Sequence, residues 1–189
     1  MSRASLILAS RSPRRRELLS LFGLPFSVRD AAVDESLLEG ESPEEMTGRL
    51  ARLKSESVAS LAPDSWVLGG DTTVAVNGEA LGKPADRAQA IAMLERLSGG
   101  RHDVISAVAL VGPGFAGVEV SHTLVDFMEL TPDMVAAYCD TREPYDKAGG
   151  YGIQGPAGTF VREIHGSYSG VVGLPLYETR MLLQRAGLV

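Results

Sequence analysis

Short apolar runs and longer stretches of helical spacing alternate from one end of the chain to the other, a pattern of strands interleaved with helices. Ser5 to Ala9 predicts a buried strand, and Ser10-Arg11-Ser12-Pro13 turns it into a helix. Ser12 suits the N-cap, Pro13 the first helical position, and Gly23 stands where a helix C-terminal glycine belongs. A short strand near Phe26–Val28 follows. Ser42-Pro43-Glu44-Glu45 is a capping box with proline at its first helical position, which predicts a helix over about 43–60. Met46, Leu50, Leu53 and Ser57 mark its expected inner face.

Trp66-Val67-Leu68 reads as a strand running into Gly69-Gly70-Asp71-Thr72-Thr73. Val74–Val76 and Glu79–Leu81 flank Asn77-Gly78, a strong hairpin signal. Asp86 to Leu97 predicts a third helix, closed by Gly99-Gly100. Long strands are expected at 103–111 and 118–129, and a helix from Thr131-Pro132 to about Cys139. Segment 144–158 is glycine-rich; a strand over Phe160–His165 and a helix from Pro175 through Leu176, Thr179, Leu182 and Leu183 complete the pattern. Without repeat, linker or low-complexity tract, the economical reading is a single α/β domain over 1–189, with a mixed twisted sheet flanked by helices.

Composition narrows the function classes. Hydrophobic residues at 44% and charged residues at 22% are ordinary for a folded globular chain and exclude a disordered or collagen-like one. Eighteen Lys and Arg against 24 Asp and Glu give −6, so no whole-surface attraction to nucleic acid or anionic lipid is expected. One cysteine forms no intramolecular disulfide, and neither Cys139 nor the scattered His102, His122 and His165 has zinc spacing. No apolar run approaches the ~18 residues that a spanning helix needs. The expectation is a soluble protein of a reducing compartment.

Four stretches carry candidate chemistry. Ser10-Arg11-Ser12-Pro13-Arg14-Arg15-Arg16 puts three arginines in the first turn of a helix. That sign opposes the helix dipole by ~0.3–1 kcal/mol per charge, and a bound phosphate would reverse it. The plain alternative is a solvated basic helix start or an import-like basic patch. On the phosphate reading, substituting Arg14 or Arg15 should weaken triphosphate handling and, by relieving repulsion, leave stability undiminished. Gly69-Gly70-Asp71-Thr72 is expected at the carboxyl end of a strand, the crevice position of open α/β sheets. Asp71 there suits Mg²⁺ binding or proton abstraction from water, against the plainer reading of a turn-forming residue. Gly82-Lys83-Pro84 returns an ammonium toward the same end and lacks the spacing of a Walker A loop. Lys54 and Glu35, taken alone, read as a surface lysine and a loop carboxylate. Tyr145-Asp146-Lys147-Ala148-Gly149-Gly150-Tyr151-Gly152-Ile153-Gln154-Gly155 signals a close backbone contact, or else a surface loop tied by Asp146 and Lys147. Gln154 has both donor and acceptor atoms, as the edge of a nucleobase requires.

In combination and in order, Ser10-Arg11-Ser12-Pro13-Arg14-Arg15, Gly70-Asp71-Thr72, Leu81-Gly82-Lys83-Pro84, Asp146-Lys147-Ala148-Gly149, Tyr151-Gly152-Ile153-Gln154-Gly155 and Val172-Gly173-Leu174-Pro175 resemble the Maf family from Leu6 to about Leu183. Gly150 departs from a frequent alanine, and Arg16 is an added arginine. The resemblance implies a fold similar to the inosine-triphosphate pyrophosphatases and a cytoplasmic, homodimeric nucleoside triphosphate pyrophosphatase, a family long called septum-formation inhibitors. It implies Asp71 as proton acceptor, and Arg14, Thr72 and Gln154 as residues separating substrate subgroups. Thr72 and Gln154 resemble those of the subgroup acting on dTTP and UTP. Ser10, Arg15, Glu35, Lys54 and Lys83 are implied to line the nucleotide pocket. The implied reaction is water attack on the α-phosphorus, with Mg²⁺ or Mn²⁺ bridging phosphate oxygens to Asp71 and Glu35. The contrasting expectation is a nucleotide- or nucleic-acid-binding regulator of cell division without catalysis. The acidic balance and the lack of an aromatic-interleaved basic stripe weigh against it.

Overall fold

The computed structural model describes residues 5–189. In chain order the elements are β1 (Leu6–Ala9), α1 (Pro13–Ser20), β2 (Phe26–Arg29), α2 (Pro43–Ala59), β3 (Trp66–Val76), β4 (Glu79–Leu81), α3 (Arg87–Leu97), β5 (Arg101–Gly112), β6 (Phe115–Phe127), α4 (Pro132–Cys139), β7 (Val161–His165), α5 (Tyr168–Val172) and α6 (Leu176–Arg185). Three short 3₁₀ turns follow α4, at Pro144–Asp146, Ala148–Gly150 and Pro156–Phe160. No helix among the described residues is long and apolar enough to cross a membrane.

One mixed sheet runs in the order β2-β1-β3-β5-β6-β7, with β4 paired to β3. β1 is parallel to β2 and β3, and every other pairing is antiparallel. The expected mixed α/β sheet is therefore present. The local chemistry that sets its helices also matches: Ser12 caps α1 ahead of Pro13, and Ser42 and Glu45 complete both halves of the capping box on α2. α5 was not foreseen; at five residues it has too little periodicity to read.

β3 differs from expectation in a way that makes the site. Gly69 to Thr73 is not a loop after a strand end but the middle of one eleven-residue strand. β5 pairs with it from Val67 to Ala75. On the other edge β1 reaches only Leu68, and β4 begins only at Val74. Residues 69–73 thus have one edge without a strand partner, in a notch at the carboxyl end of β1. Asp71 lies at its centre.

α2 covers this notch. Its buried stripe is Thr47, Leu50, Ala51, Lys54, Ser55 and Val58, not the expected Met46-Leu50-Leu53-Ser57 face. The shift arises because three polar members have partners: Thr47 bonds Thr73, Lys54 bonds Asp71, and Ser55 bonds the Arg52 carbonyl. Ala51 packs with Ala107 and Ala109 of β5, keeping the helix low over the sheet. A Cβ at Gly69 would lie 2.5 Å from the Ala51 carbonyl oxygen, so only glycine admits α2 at this height. On the α1 side, Leu6, Leu8, Leu19, Leu68, Leu110, Leu182 and Leu183 form an apolar layer. A second layer joins Val74, Leu94, Val125, Phe127, Tyr151 and Phe160.

Candidate functional site

Successive side chains of a strand point to opposite faces, so Asp71 and Thr72 leave β3 in opposite directions. Asp71 points toward α2, where Lys54 Nζ lies 2.7 Å from its Oδ1. The same ammonium lies 2.6 Å from Glu35 Oε1. Two carboxylates therefore share one cation. Glu35 comes from the connection between β2 and α2. Asp34 accepts from the Ser36 N–H at 2.9 Å, and Arg49 donates to the Ser36 carbonyl at 3.0 Å. These bonds hold the segment on α2. Burial pushes the Glu35 pKa up, but the Lys54 hydrogen bond and charge, with Lys83 and Arg15 farther off, outweigh it and leave it below the usual value.

Thr72 faces the other way, toward α1 and α5. Arg15 donates through Nε to the Gly173 carbonyl at 2.8 Å and through Nη2 to Thr72 Oγ1 at 3.3 Å. Its Nη1 reaches Ser10 Oγ at 3.4 Å. A Cβ on Gly70 would lie 3.3 Å from Arg15 Nε, so glycine leaves the guanidinium its path across the strand. Burial lowers the Arg15 pKa, with Asp71 and Glu35 pulling the other way; a guanidinium remains charged regardless. Ser106 donates to the Gly170 carbonyl at 2.6 Å, so its 2.9 Å bond with Thr72 is donated by Thr72. The Thr72 hydroxyl thus has its proton committed and one lone pair taken by Arg15. Toward a ligand it is left to accept.

All nine sequence candidates, Ser10, Arg14, Arg15, Glu35, Lys54, Asp71, Thr72, Lys83 and Gln154, line one cleft of about 1170 Å³. That slightly exceeds the roughly 300–1,000 Å³ common for ligand sites and gives room for a base, a sugar and a phosphate chain. Its wall carries Arg11, Arg14, Arg15, Lys54, Lys83 and Lys147 against Asp30, Glu35, Asp71, Glu143 and Asp146. One positive charge is in excess there, in a chain of net charge −6. Local convergence, not overall charge, suits an anion.

The glycine-rich segment forms the far wall. Gly149 N–H bonds the Gly82 carbonyl at 3.0 Å, tying this segment to the loop that carries Lys83. The Tyr151 hydroxyl meets His102 Nε2 at 2.7 Å, and burial lowers the His102 pKa to about 4, so this pair is uncharged at neutral pH. Lys147 bonds Asp146 at 2.6 Å, as the plain surface-loop reading expected, and Arg14 lies 3.4 Å from the same carboxylate. Glu143 also lines the cleft, and the sequence reading missed it. It stands between Arg142 and Pro144, where no local pattern marks a site.

The donor set fits a hard divalent cation at one place. Asp71 and Glu35 already converge within one ammonium's reach, and carboxylate oxygens are the ligands Mg²⁺ and Mn²⁺ prefer. A second group, Asp126, Glu163 and His165, has ligand atoms within 4.8 Å of one another. There Arg101 holds both Asp126 oxygens at 2.7 and 2.8 Å, and none of the three residues lines the cleft.

Residues 5–186 match the family model described as "Maf-like protein". The chain belongs to the Maf family. Among curated Maf relatives, a protein of Colwellia psychrerythraea named "dTTP/UTP pyrophosphatase" is 50% identical, covering 97% of this chain and 89% of its own length. One of Myxococcus xanthus with the same name is 51% identical, covering 97% and 93%. The solved structure of the Staphylococcus aureus Ham1 protein matches at a TM-score of 0.49 and 20% identity, over 65% of this chain and 71% of that one. A likeness that low leaves the fold assignment resting on the sheet itself.

Proposed function

We propose that this Maf protein hydrolyses nucleoside triphosphates, dTTP and UTP in preference, to the monophosphate and pyrophosphate. The observation that carries the reading is Asp71: a carboxylate in the partnerless stretch of β3, paired with Glu35 through Lys54 and lining the same cleft as Arg14, Arg15 and Lys83. The names of relatives near half identity supply the substrate class.

Asp71 orients the attacking water and takes its proton. The oxygen–phosphorus bond forms at the α-phosphorus, and the bond to the bridging oxygen breaks as pyrophosphate leaves with the electron pair. Arg14, Arg15 and Lys83 stabilise the charge that gathers on that leaving group; fixed cations in a cleft act more strongly there than in water. Ser10 and Thr72 hold Arg15 in place, and Lys54 holds Asp71 and Glu35 together. Asp71 with Glu35 would hold a divalent metal, Mg²⁺ or Mn²⁺. When bound, it supplies charge neutralisation on the phosphate oxygens. Gln154, exposed at the cleft wall, offers an amide to the O4/N3–H edge of a uracil or thymine. A base that leaves such a group unpaired is penalised by ~1–3 kcal/mol. The reading includes one domain over 1–189, a homodimeric state and a cytoplasmic location.

The test is pyrophosphate release from a panel of dTTP, UTP, CTP, ATP, GTP and 7-methyl-GTP, with and without chelator. Metal-dependent release fastest on dTTP and UTP is expected. Tight nucleotide binding without product would overturn it in favour of a non-catalytic regulator. Equal efficiency on every base would remove the specificity alone.

A further inference from the structure

The turn that presents Gln154 is held from behind. Gly155 N–H bonds the Gly152 carbonyl at 3.2 Å, closing Gly152-Ile153-Gln154-Gly155 into a tight turn. Glu143 presses on both bracketing glycines, and Lys147 on the first. A Cβ at Gly152 would lie 2.6 Å from Lys147 Cε and 2.9 Å from Glu143 Oε1. A Cβ at Gly155 would fall within the Glu143 carboxylate, 2.5 Å from its Cδ. Lys147 in turn donates to the Glu143 backbone carbonyl at 2.9 Å, four residues back, so the two residues form one unit.

This unit costs the fold something. Glu143 Oε2 is buried without a hydrogen-bond partner, and so is the Tyr138 hydroxyl. The Glu143 charge acts on that hydroxyl: burial and then the nearby carboxylate both raise the Tyr138 pKa. A buried carboxylate oxygen left unpaired is unfavourable, and the isosteric glutamine would avoid placing a charge there. Local rules broken without a stability gain concentrate at functional sites. The function at hand is next door. Gln154 is exposed, makes no side-chain hydrogen bond among the described residues, and depends on its turn for its direction.

We propose that Glu143 and Lys147 are positioning residues for base selection: they fix the Gly152–Gly155 turn, and with it the direction of the Gln154 amide, without touching the base. This rests on the nucleotide reading above. A recognition amide is selective only while it is held in place, so loosening its support trades discrimination for tolerance.

The experiment measures kcat and KM for dTTP, UTP, CTP and GTP with Glu143→Gln, Glu143→Ala, Lys147→Met and Gln154→Ala, and with the double variant Glu143→Ala/Gln154→Ala, alongside melting temperature. Glu143→Ala and Lys147→Met are expected to lower the dTTP-to-GTP ratio of kcat/KM about tenfold, through KM for dTTP. Glu143→Gln, which keeps the shape, should retain most of the ratio at an equal or higher melting temperature. In the Gln154→Ala background, Glu143→Ala should change the ratio no further. If Glu143→Ala fails to fold, Lys147→Met decides. An unchanged ratio in Glu143→Ala or Lys147→Met, or an equal fall of kcat on every nucleotide, overturns the proposal while a selective wild type keeps the nucleotide reading intact. A wild type that cleaves nothing overturns both.

Discussion

Asp71 and Asp126 are both sheet carboxylates with little exposure, and they have opposite surroundings. Asp126, on β6, has its two oxygens taken by the fork of Arg101, with Arg162 and His165 close by. Arg101 drives its pKa down to about 2. Asp71, on β3, meets one ammonium that it must share with Glu35, at the wall of a large cleft. One acid has both oxygens taken by a single guanidinium fork and is finished. The other shares one ammonium with a second carboxylate at a cleft wall, with capacity left for a metal or a water. Three acid and histidine groups close together do not by themselves make a metal centre; what else binds their oxygens decides.

The largest effect should come from exchanging roles. Asp71→Asn is expected to lower turnover ~10²–10⁴-fold with the melting temperature little changed, as read by steady-state kinetics and calorimetry. Asp126→Asn should do the reverse, keeping kcat and losing roughly 5 °C or more of melting temperature. Near-normal turnover in Asp71→Asn, or a collapse in Asp126→Asn with the fold intact, would erase the contrast.

A smaller effect separates two neighbouring arginines. The sequence expectation that both are dispensable to the fold holds only where the side chain is free. Arg15 is bonded to Gly173, Thr72 and Ser10, so Arg15→Ala should cost ~1–3 kcal/mol as well as weaken triphosphate binding. Arg14 has only a long, half-exposed contact to Asp146, so Arg14→Ala should raise KM and leave the melting temperature within about 1 °C. Equal destabilisation by the two would contradict these bonds.

The smallest effect is in acid. The Asp126 pKa falls from 3.8 to about 2 on folding, so its contribution is complete above the unfolded value and is lost as pH drops through the folded one. The melting-temperature gap between wild type and Asp126→Asn should therefore be constant above about pH 5 and shrink from pH 4 toward 2. A gap that widens over that range would reverse the sign.

The elements and seven of the nine candidate residues were legible because they are written in local chemistry: helix caps, an Asn-Gly hairpin, and short motifs in a fixed order; Glu35 and Lys54 came only with the family resemblance. The structure brings all nine to one cleft. What was not legible depends on partners far along the chain. The continuity of β3 through Gly69-Gly70 depends on β5, which spans the two glycines where a propensity argument places a turn. The inner face of α2 was misread because periodicity counts apolar residues, and Lys54 is buried by its ion pairs, not by its own hydropathy. The commitment of the Thr72 hydroxyl depends on Ser106, thirty-four residues away. Glu143 was missed for the same reason, since its meaning lies in two glycines nine and twelve positions later.

Hydrolysis of dTTP in ¹⁸O-labelled water, followed by mass spectrometry of both products, tests the central claim most directly. Attack at the α-phosphorus by a water held at Asp71 predicts the label in thymidine monophosphate and unlabelled pyrophosphate. Label in the pyrophosphate, or orthophosphate as the first product, would place the attack at another phosphorus and contradict the account.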